Sequence, residues 1–333
     1  MDALITATAR GLYCAAGNFH IDPWEPVERA VITHGHSDHA RPGSARYLCA
    51  APGAPVLHAR LGPEATIETL AYGESVAIDG VQVSLHPAGH VLGSAQVRVE
   101  AGGEVWVVSG DYKLEPDPTC APFEPVRCHA FVTESTFGLP IYRWSEPAHV
   151  FDAINAWWRG NAAAGRASVL FAYAFGKAQR ILASIDASIG PILVHGAVDT
   201  LDRAYAQAGV ALPAAKVAIE LERGYDVAGA LVLAPPSAQS SPWLKRFGDY
   251  SDAFASGWMA IRGARRRMAV DQGFVLSDHA DWPGLNRAID ATGAERVFVT
   301  HGHSQPLVQW LAERGLAAAA MATRFEAEPG AET

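Results

Sequence analysis

Short runs of β-branched and aromatic residues, each ended by Gly, Pro or Asp, pattern the chain from its start to about residue 135. RAVITH, VQVSLH, AQVRVE, EVWVVSGD and AFVTEST read as strands. GPEATIETLAYGES reads as a short helix and turn between them. From Ser145 the spacing becomes helical: SEPAHVFDAINAWWRGNAAAG, with Ser145 as the cap. Strand-like and helix-like segments then alternate through SVLFAYAF, GKAQRILASIDAS, PILVHG, DTLDRAYAQAG, KVAIELE and ALVLAPP. That alternation predicts a parallel α/β unit. GFVLSDHADWPGLNRAIDA and ERVFVTHGHSQPLVQWLAERG each predict a strand followed by a helix, and FEAEPGAET a frayed tail.

A chain of 333 residues, about half of them apolar, can build roughly two domains with sizeable cores. No apolar run approaches the roughly 20 residues of a membrane span, and the N-terminus lacks the pattern of a signal peptide. Cys14, Cys49, Cys120 and Cys128 have no CxxC spacing, so neither a zinc knuckle nor a disulfide framework follows and a reducing cytoplasm is the expected setting. The net charge of -9 is not the overall signature of a nucleic-acid binder, although local charge near a site matters more than the sum. One local exception is IRGARRR, with Arg262, Arg265, Arg266 and Arg267; it reads equally as a solvated face or as an anion-binding patch.

Polar residues stand just past the ends of the apolar runs. The densest group is ITHGHSDHA, which holds His34, His36, Asp38 and His39. These four cannot share one helical face. An extended segment puts His34 and His36 on one side, and a following turn brings Asp38 and His39 round. His90, Asp111, Glu134, His279 and His301 follow five other runs. Singly, each is an ordinary loop or core residue; the coincidence of six such ends is what points to a site. Imidazole and carboxylate without thiolate suit zinc or a similar transition ion. His34, His36 and His90 can serve one ion, Asp38, His39 and His301 a second, and Asp111 both. Two ions roughly 4 Å apart activate a water and clamp a phosphoryl group for in-line displacement.

The HxHxDH motif with a later His, Asp and His resembles the metallo-β-lactamase superfamily. Glu134 and His279, flanking an inserted α/β segment, match its β-CASP nuclease branch. GLYCAAGNFHIDPWEPVERAVITHGHSDHARPG, PAGHVLGSAQ, VSGDYKLEPDPTCAPFEPVRCHAFVTESTFGLP and GFVLSDHADW resemble the bacterial ligase-associated DNA exonucleases along nearly the whole chain. The resemblance implies an αββα sandwich over 1–143 and 273–333, a β-CASP α/β domain over 144–272, and an active site in the cleft between them. It implies two divalent ions, zinc with manganese as the alternative. Asp22 of FHIDPW matches the aspartate that orients metal ligands. Asp38, Glu134 and His279 fall among the catalytic residues, the last two helping to protonate the leaving oxygen.

The resemblance further implies DNA ends as substrate, attack from the 5′ end, a role in DNA repair, and association with a DNA ligase and a helicase. Lys177 of FGKAQR, at a strand-to-helix junction, is a candidate phosphate contact, as are Ser241, Arg265 and Arg266. His303 and Asp281 read as supporting residues. A histidine at position 301 is typical of RNA-processing β-CASP members, so an RNA nuclease is the alternative. A small-molecule hydrolase would leave Glu134 and His279 idle. A non-catalytic scaffold would have lost ligands, and here the set is intact.

Overall fold

The computed structural model describes residues 3–222 and 224–323, the side chains of Ala264 and Arg265 aside; the FEAEPGAET tail lies outside them. The chain divides into two compact units. One takes in the chain up to Arg143 and again from His279, and the other is Trp144–Asp278.

Two sheets stack in the first unit. A six-stranded sheet runs in the order Thr6–Thr8, Gly11–Cys14, Phe19–Ile21, Arg29–Val31, Arg46–Ala50, Ile67–Leu70. A seven-stranded sheet runs Ala317–Ala320, Arg296–Val299, Ala130–Thr133, Glu104–Val108, Ala95–Ala101, Val81–Pro87, Ser75–Ile78. Their facing sides share one core, in which Phe19, Ile21 and Val31 meet Val83, Val97, Trp106 and Val132. Each such side chain removed from water contributes roughly 1.5–3 kcal/mol against chain entropy. The outer face of the second sheet (Val107, Phe131, Val297, Val299) is covered by the helices Trp282–Thr292 and Ser304–Glu313, through Leu285, Ile289, Leu307 and Leu311. The outer face of the first sheet (Ala30, Ile32, Tyr47, Cys49) meets the helix Ala54–Leu61 through Leu57. The layering is therefore α, β, β, α.

Direction within the sheets decides where loops emerge. Glu104–Val108, Ala130–Thr133 and Arg296–Val299 are adjacent and parallel, with Val108 beside Val132 and Thr133 beside Val299. Their C-terminal ends therefore lie together, and Asp111, Glu134 and His301 come just beyond them.

The second unit holds one sheet in the order Lys216–Val217, Ile192–Val194, Leu231–Ala234, Ala167–Phe171, Tyr250–Ala255, Gln272–Phe274, every pair parallel. Its central strands Ala167–Phe171 and Leu231–Ala234 are buried at every residue, as a sheet covered on both faces requires. Because Gln272–Phe274 pairs with Tyr250–Ala255, this unit continues past residue 272 to Asp278.

Two local expectations are corrected. GPEATIETLAYGES is not a helix: the helix is the preceding Ala54–Leu61, ended at Gly62 (φ 95), and Ile67–Leu70 is an edge strand. Ser145 does not cap the next helix. Pro147 occupies its first turn, so the extended Glu146 (φ -51, ψ 129) is the cap residue and makes no side-chain cap bond.

Candidate metal centre

The strand Arg29–Val31 delivers the chain into the loop that carries ITHGHSDH. After His36 the backbone turns, with the His39 and Ala40 amides donating to the His36 carbonyl at 3.1 and 2.8 Å. One bend thus places His34, His36 and His39 around one carboxylate. Asp111 Oδ2 lies 3.5 Å from His34 Nε2, 3.4 Å from His39 Nε2 and 3.8 Å from His90 Nε2. His90 Nε2 is 3.1 Å from His36 Nδ1. His34, His36, His90 and Asp111 each bring one ligand atom within 4.8 Å of the others. A second group of the same tightness is Asp111, Glu134 and His279. Asp38 and His301 stand more loosely: Asp38 is 3.6 Å from His39 Nε2, and the His301 ring stacks on that of His39 with centroids 5.5 Å apart.

The residues present fit a bound cation. Nε2 of His34 and Nε2 of His39 are both buried and make no hydrogen bond. An orphaned buried nitrogen is costly unless something else coordinates it. Their other nitrogens are already engaged. His39 Nδ1 bonds the Asp22 carboxylate at 2.7 Å, and His34 Nδ1 lies 3.0 Å from the Thr33 hydroxyl. These contacts fix the tautomer that leaves Nε2 as acceptor. Asp22 also accepts the Thr33 amide at 2.7 Å, and it holds a left-handed backbone (φ 45) as it does so.

Burial sets the protonation states first. It lowers His34 well below the usual imidazole range, with His39 adding to the effect, and it pushes His36 down to about 3. Burial also lowers His39, yet Asp111, Asp38 and Asp22 outweigh it and raise that group well above the ordinary value. Asp111 is pushed up by burial and held well below the usual carboxylate range by His39 and His279. The carboxylates of Asp111 and Asp38 facing the neutral imidazoles of His34 and His36, with His39 held ready to carry positive charge, make a charge pattern that a divalent cation completes by displacing that proton.

Glu134, 1% exposed, sits beside this cluster. One carboxylate oxygen accepts the Tyr112 amide at 2.9 Å, and the other pairs with His279 Nδ1 at 2.9 Å. The His279 ring lies 4.7 Å from that of His90. Asp281 caps the following helix by accepting from the Gly284 amide, a structural role.

The substrate-contact candidates lie in the other unit. Lys177 is buried, not presented: its ammonium is 3.5 Å from Asp278 Oδ2 and 4.5 Å above the Tyr173 ring. The Ser241 hydroxyl donates to the Ala238 carbonyl at 2.7 Å. Arg266 is exposed on the helix Arg262–Met268, and the Arg265 side chain lies outside the described residues.

Thr33 and Ser94 escaped sequence reasoning. The Ser94 hydroxyl accepts the amides of His90 and Val91 at 3.1 and 3.2 Å and so shapes the turn that presents His90. Thr33 stands immediately before HxHxDH, and its pairing with Asp22, itself a candidate, is what the sequence does not show.

Residues 20–157 match the family model described as Metallo-beta-lactamase superfamily. A protein named Probable DNA ligase from Opitutus terrae is 33% identical over 327 residues, 97% of this chain and 31% of that protein. Endoribonuclease YSH1 of Yarrowia lipolytica is 31% identical over 124 residues, 36% of this chain and 14% of that one. The chain thus spans about a third or less of the length of these curated relatives. The crystal structure of a protein of unknown function from Enterococcus faecalis V583 shares the fold, with a TM-score of 0.55 over 81% of this chain and 74% of that one at 11% identity. Among the described residues, no helix is long and apolar enough to cross a membrane.

Proposed function

Because the chain belongs to the metallo-β-lactamase superfamily and has its fold, we propose that it is a metal-dependent DNA exonuclease of the β-CASP branch. On this reading Trp144–Asp278 is the β-CASP domain. The enzyme removes nucleotides from DNA ends, from the 5′ end, in DNA repair. The observation that carries the reading is the pair of orphaned nitrogens, His34 Nε2 and His39 Nε2, at 3.5 and 3.4 Å from Asp111 Oδ2.

His34, His36, His90 and Asp111 would hold one divalent ion, and Asp38, His39 and His301, sharing Asp111, a second. Bound there, the ions would supply an activated water and neutralise charge on the scissile phosphate. Imidazole with carboxylate suits zinc, and manganese is the alternative. Asp22 holds His39 in its ligating tautomer. His279, braced by Glu134, would hand a proton to the leaving oxygen, and its pairing with that carboxylate supports the role. Ser241, Arg265 and Arg266 belong to the DNA-facing set in this reading, whereas Lys177, buried against Asp278, braces the fold.

The DNA ligase name of the Opitutus relative, matched along almost the whole chain, supports DNA over RNA and a ligase as the working partner; a helicase is the second partner in this reading. Four free cysteines fit the cytoplasm. An RNA-processing nuclease is the second reading, favoured by the match to Endoribonuclease YSH1 and by His301. Single-stranded DNA and RNA, each labelled at the 5′ or the 3′ end, decide between them. Mononucleotides released early from 5′-labelled DNA, with RNA left intact, are expected. Internal cuts in RNA, or inert DNA, would overturn the assignment.

A further inference from the structure

We propose that Ser135 is a positioning residue for His301: its buried hydroxyl fixes the backbone from which the His301 ring reaches the second ion. The inference rests on the reading of His301 as a ligand. His301 has φ 48, a left-handed conformation that a histidine keeps only where its surroundings hold it. Those surroundings converge on Ser135, which is 0% exposed. The Ser135 hydroxyl donates to the His301 carbonyl, with the Thr300 carbonyl 3.2 Å away. The Ser135 carbonyl accepts the His303 amide at 2.9 Å. Gly302 (φ 70) passes so close that a Cβ there would come within 2.4 Å of the same carbonyl. The turn 300–303 is therefore wrapped around one residue. Ser135 also follows Glu134, which pairs with His279, so two adjacent residues hold the two histidines His279 and His301. Removing the hydroxyl leaves the half-buried His301 carbonyl without its donor and frees the turn to relax, which swings the ring away from His39.

Zinc affinity of each site, by competition with a chromophoric chelator, tests this in Ser135→Ala, His301→Ala and Tyr112→Phe. Tyr112→Phe is the control for losing a nearby buried hydroxyl, since its hydroxyl bonds Thr133 and not the 300–303 turn. Ser135→Ala is expected to weaken the second zinc roughly 10- to 100-fold and to leave the other unchanged. His301→Ala is expected to lose the second zinc, and Tyr112→Phe to keep both. Should Ser135→Ala not fold, Ser135→Cys keeps the size, weakens the donor and takes its place with the same readout. Wild-type affinities in the Ser135 variant beside a lost zinc in His301→Ala would overturn the inference and leave the ligand reading standing. Two zincs retained by His301→Ala would overturn both.

Discussion

The two units both end their strands in polar residues, yet those ends differ in what remains unsatisfied. In the first unit, three parallel strand ends and the ITHGHSDH loop converge, and buried nitrogens of His34 and His39 face Asp111 without a hydrogen bond. In the second, the strand-to-helix junction at Gly176–Lys177 leaves one buried nitrogen, Arg180 Nε, without a hydrogen bond, and that nitrogen is a donor on a cation, unable to ligate a metal. Lys177 faces Asp278, Arg180 donates to the Ser277 carbonyl at 2.7 Å, and Gln179 spans the Gly176 amide and the Asp202 carboxylate. Polar residues past strand ends are thus a weak signal alone. What separates a site from a braced loop is unused acceptor capacity converging on a carboxylate, as the imidazole nitrogens do at Asp111.

That contrast breaks most visibly at Asp111. Asp111→Ala removes the carboxylate central to three imidazoles, and nuclease turnover is expected to fall by at least about three orders of magnitude while the fold persists. A folded variant with near-normal turnover would erase the distinction.

The matching change in the second unit should strike stability instead. Lys177→Met leaves Asp278 facing only part of its positive surroundings, and the expected cost is on the order of 2 kcal/mol, less than for a fully orphaned charge because Arg180 remains 3.3 Å away. Chemical denaturation measures this. A loss of nuclease activity without loss of stability would instead make Lys177 a substrate contact.

How much of this was legible in the sequence depended on range. The candidate ligands lay in the open, because HxHxDH is local and the other candidates each follow an apolar run. The partnership of Lys177 with Asp278 was hidden, since nothing near GKAQR names a carboxylate far along the chain. The same holds for Asp22 and Thr33. The strand Ile67–Leu70 read as helix because Ile67 and Leu70 stand three apart, while the exposed Glu68 and Thr69 of an edge strand show no alternation. Tyr250–Ala255 went unnoticed because Ser251 and Asp252 interrupt its apolar pattern; both find partners at Asp271.

Asp202 sharpens the comparison through pH. Burial pushes its carboxyl up to about 6, against an ordinary 3.8. A folded pKa above the unfolded one means the group favours folding when protonated, and that advantage is lost as pH rises through 6. Asp202→Asn keeps an acceptor for Gln179 and should add on the order of 1–2 kcal/mol at pH 8, a gain that shrinks as pH falls toward 4. An equal gain at both ends of a melting series would remove the buried-charge explanation.

The smallest effect is expected at the exposed arginines. Replacing Arg266 and Arg267 with Ala should weaken DNA binding for all sequences alike and flatten its log–log salt dependence by slightly under one unit for each phosphate that the side chains had neutralised. Binding isotherms across a salt series check this, and an unchanged slope returns the cluster to a solvated surface.

The central claim is that the unused nitrogens around Asp111 are metal ligands. Metal content of the purified chain, by inductively coupled plasma mass spectrometry after dialysis against a weak chelator, tests it most directly. The account predicts two divalent ions per chain in the wild type and their loss together in Asp111→Ala. A wild-type chain that retains none, or an Asp111→Ala chain that retains both, would contradict it.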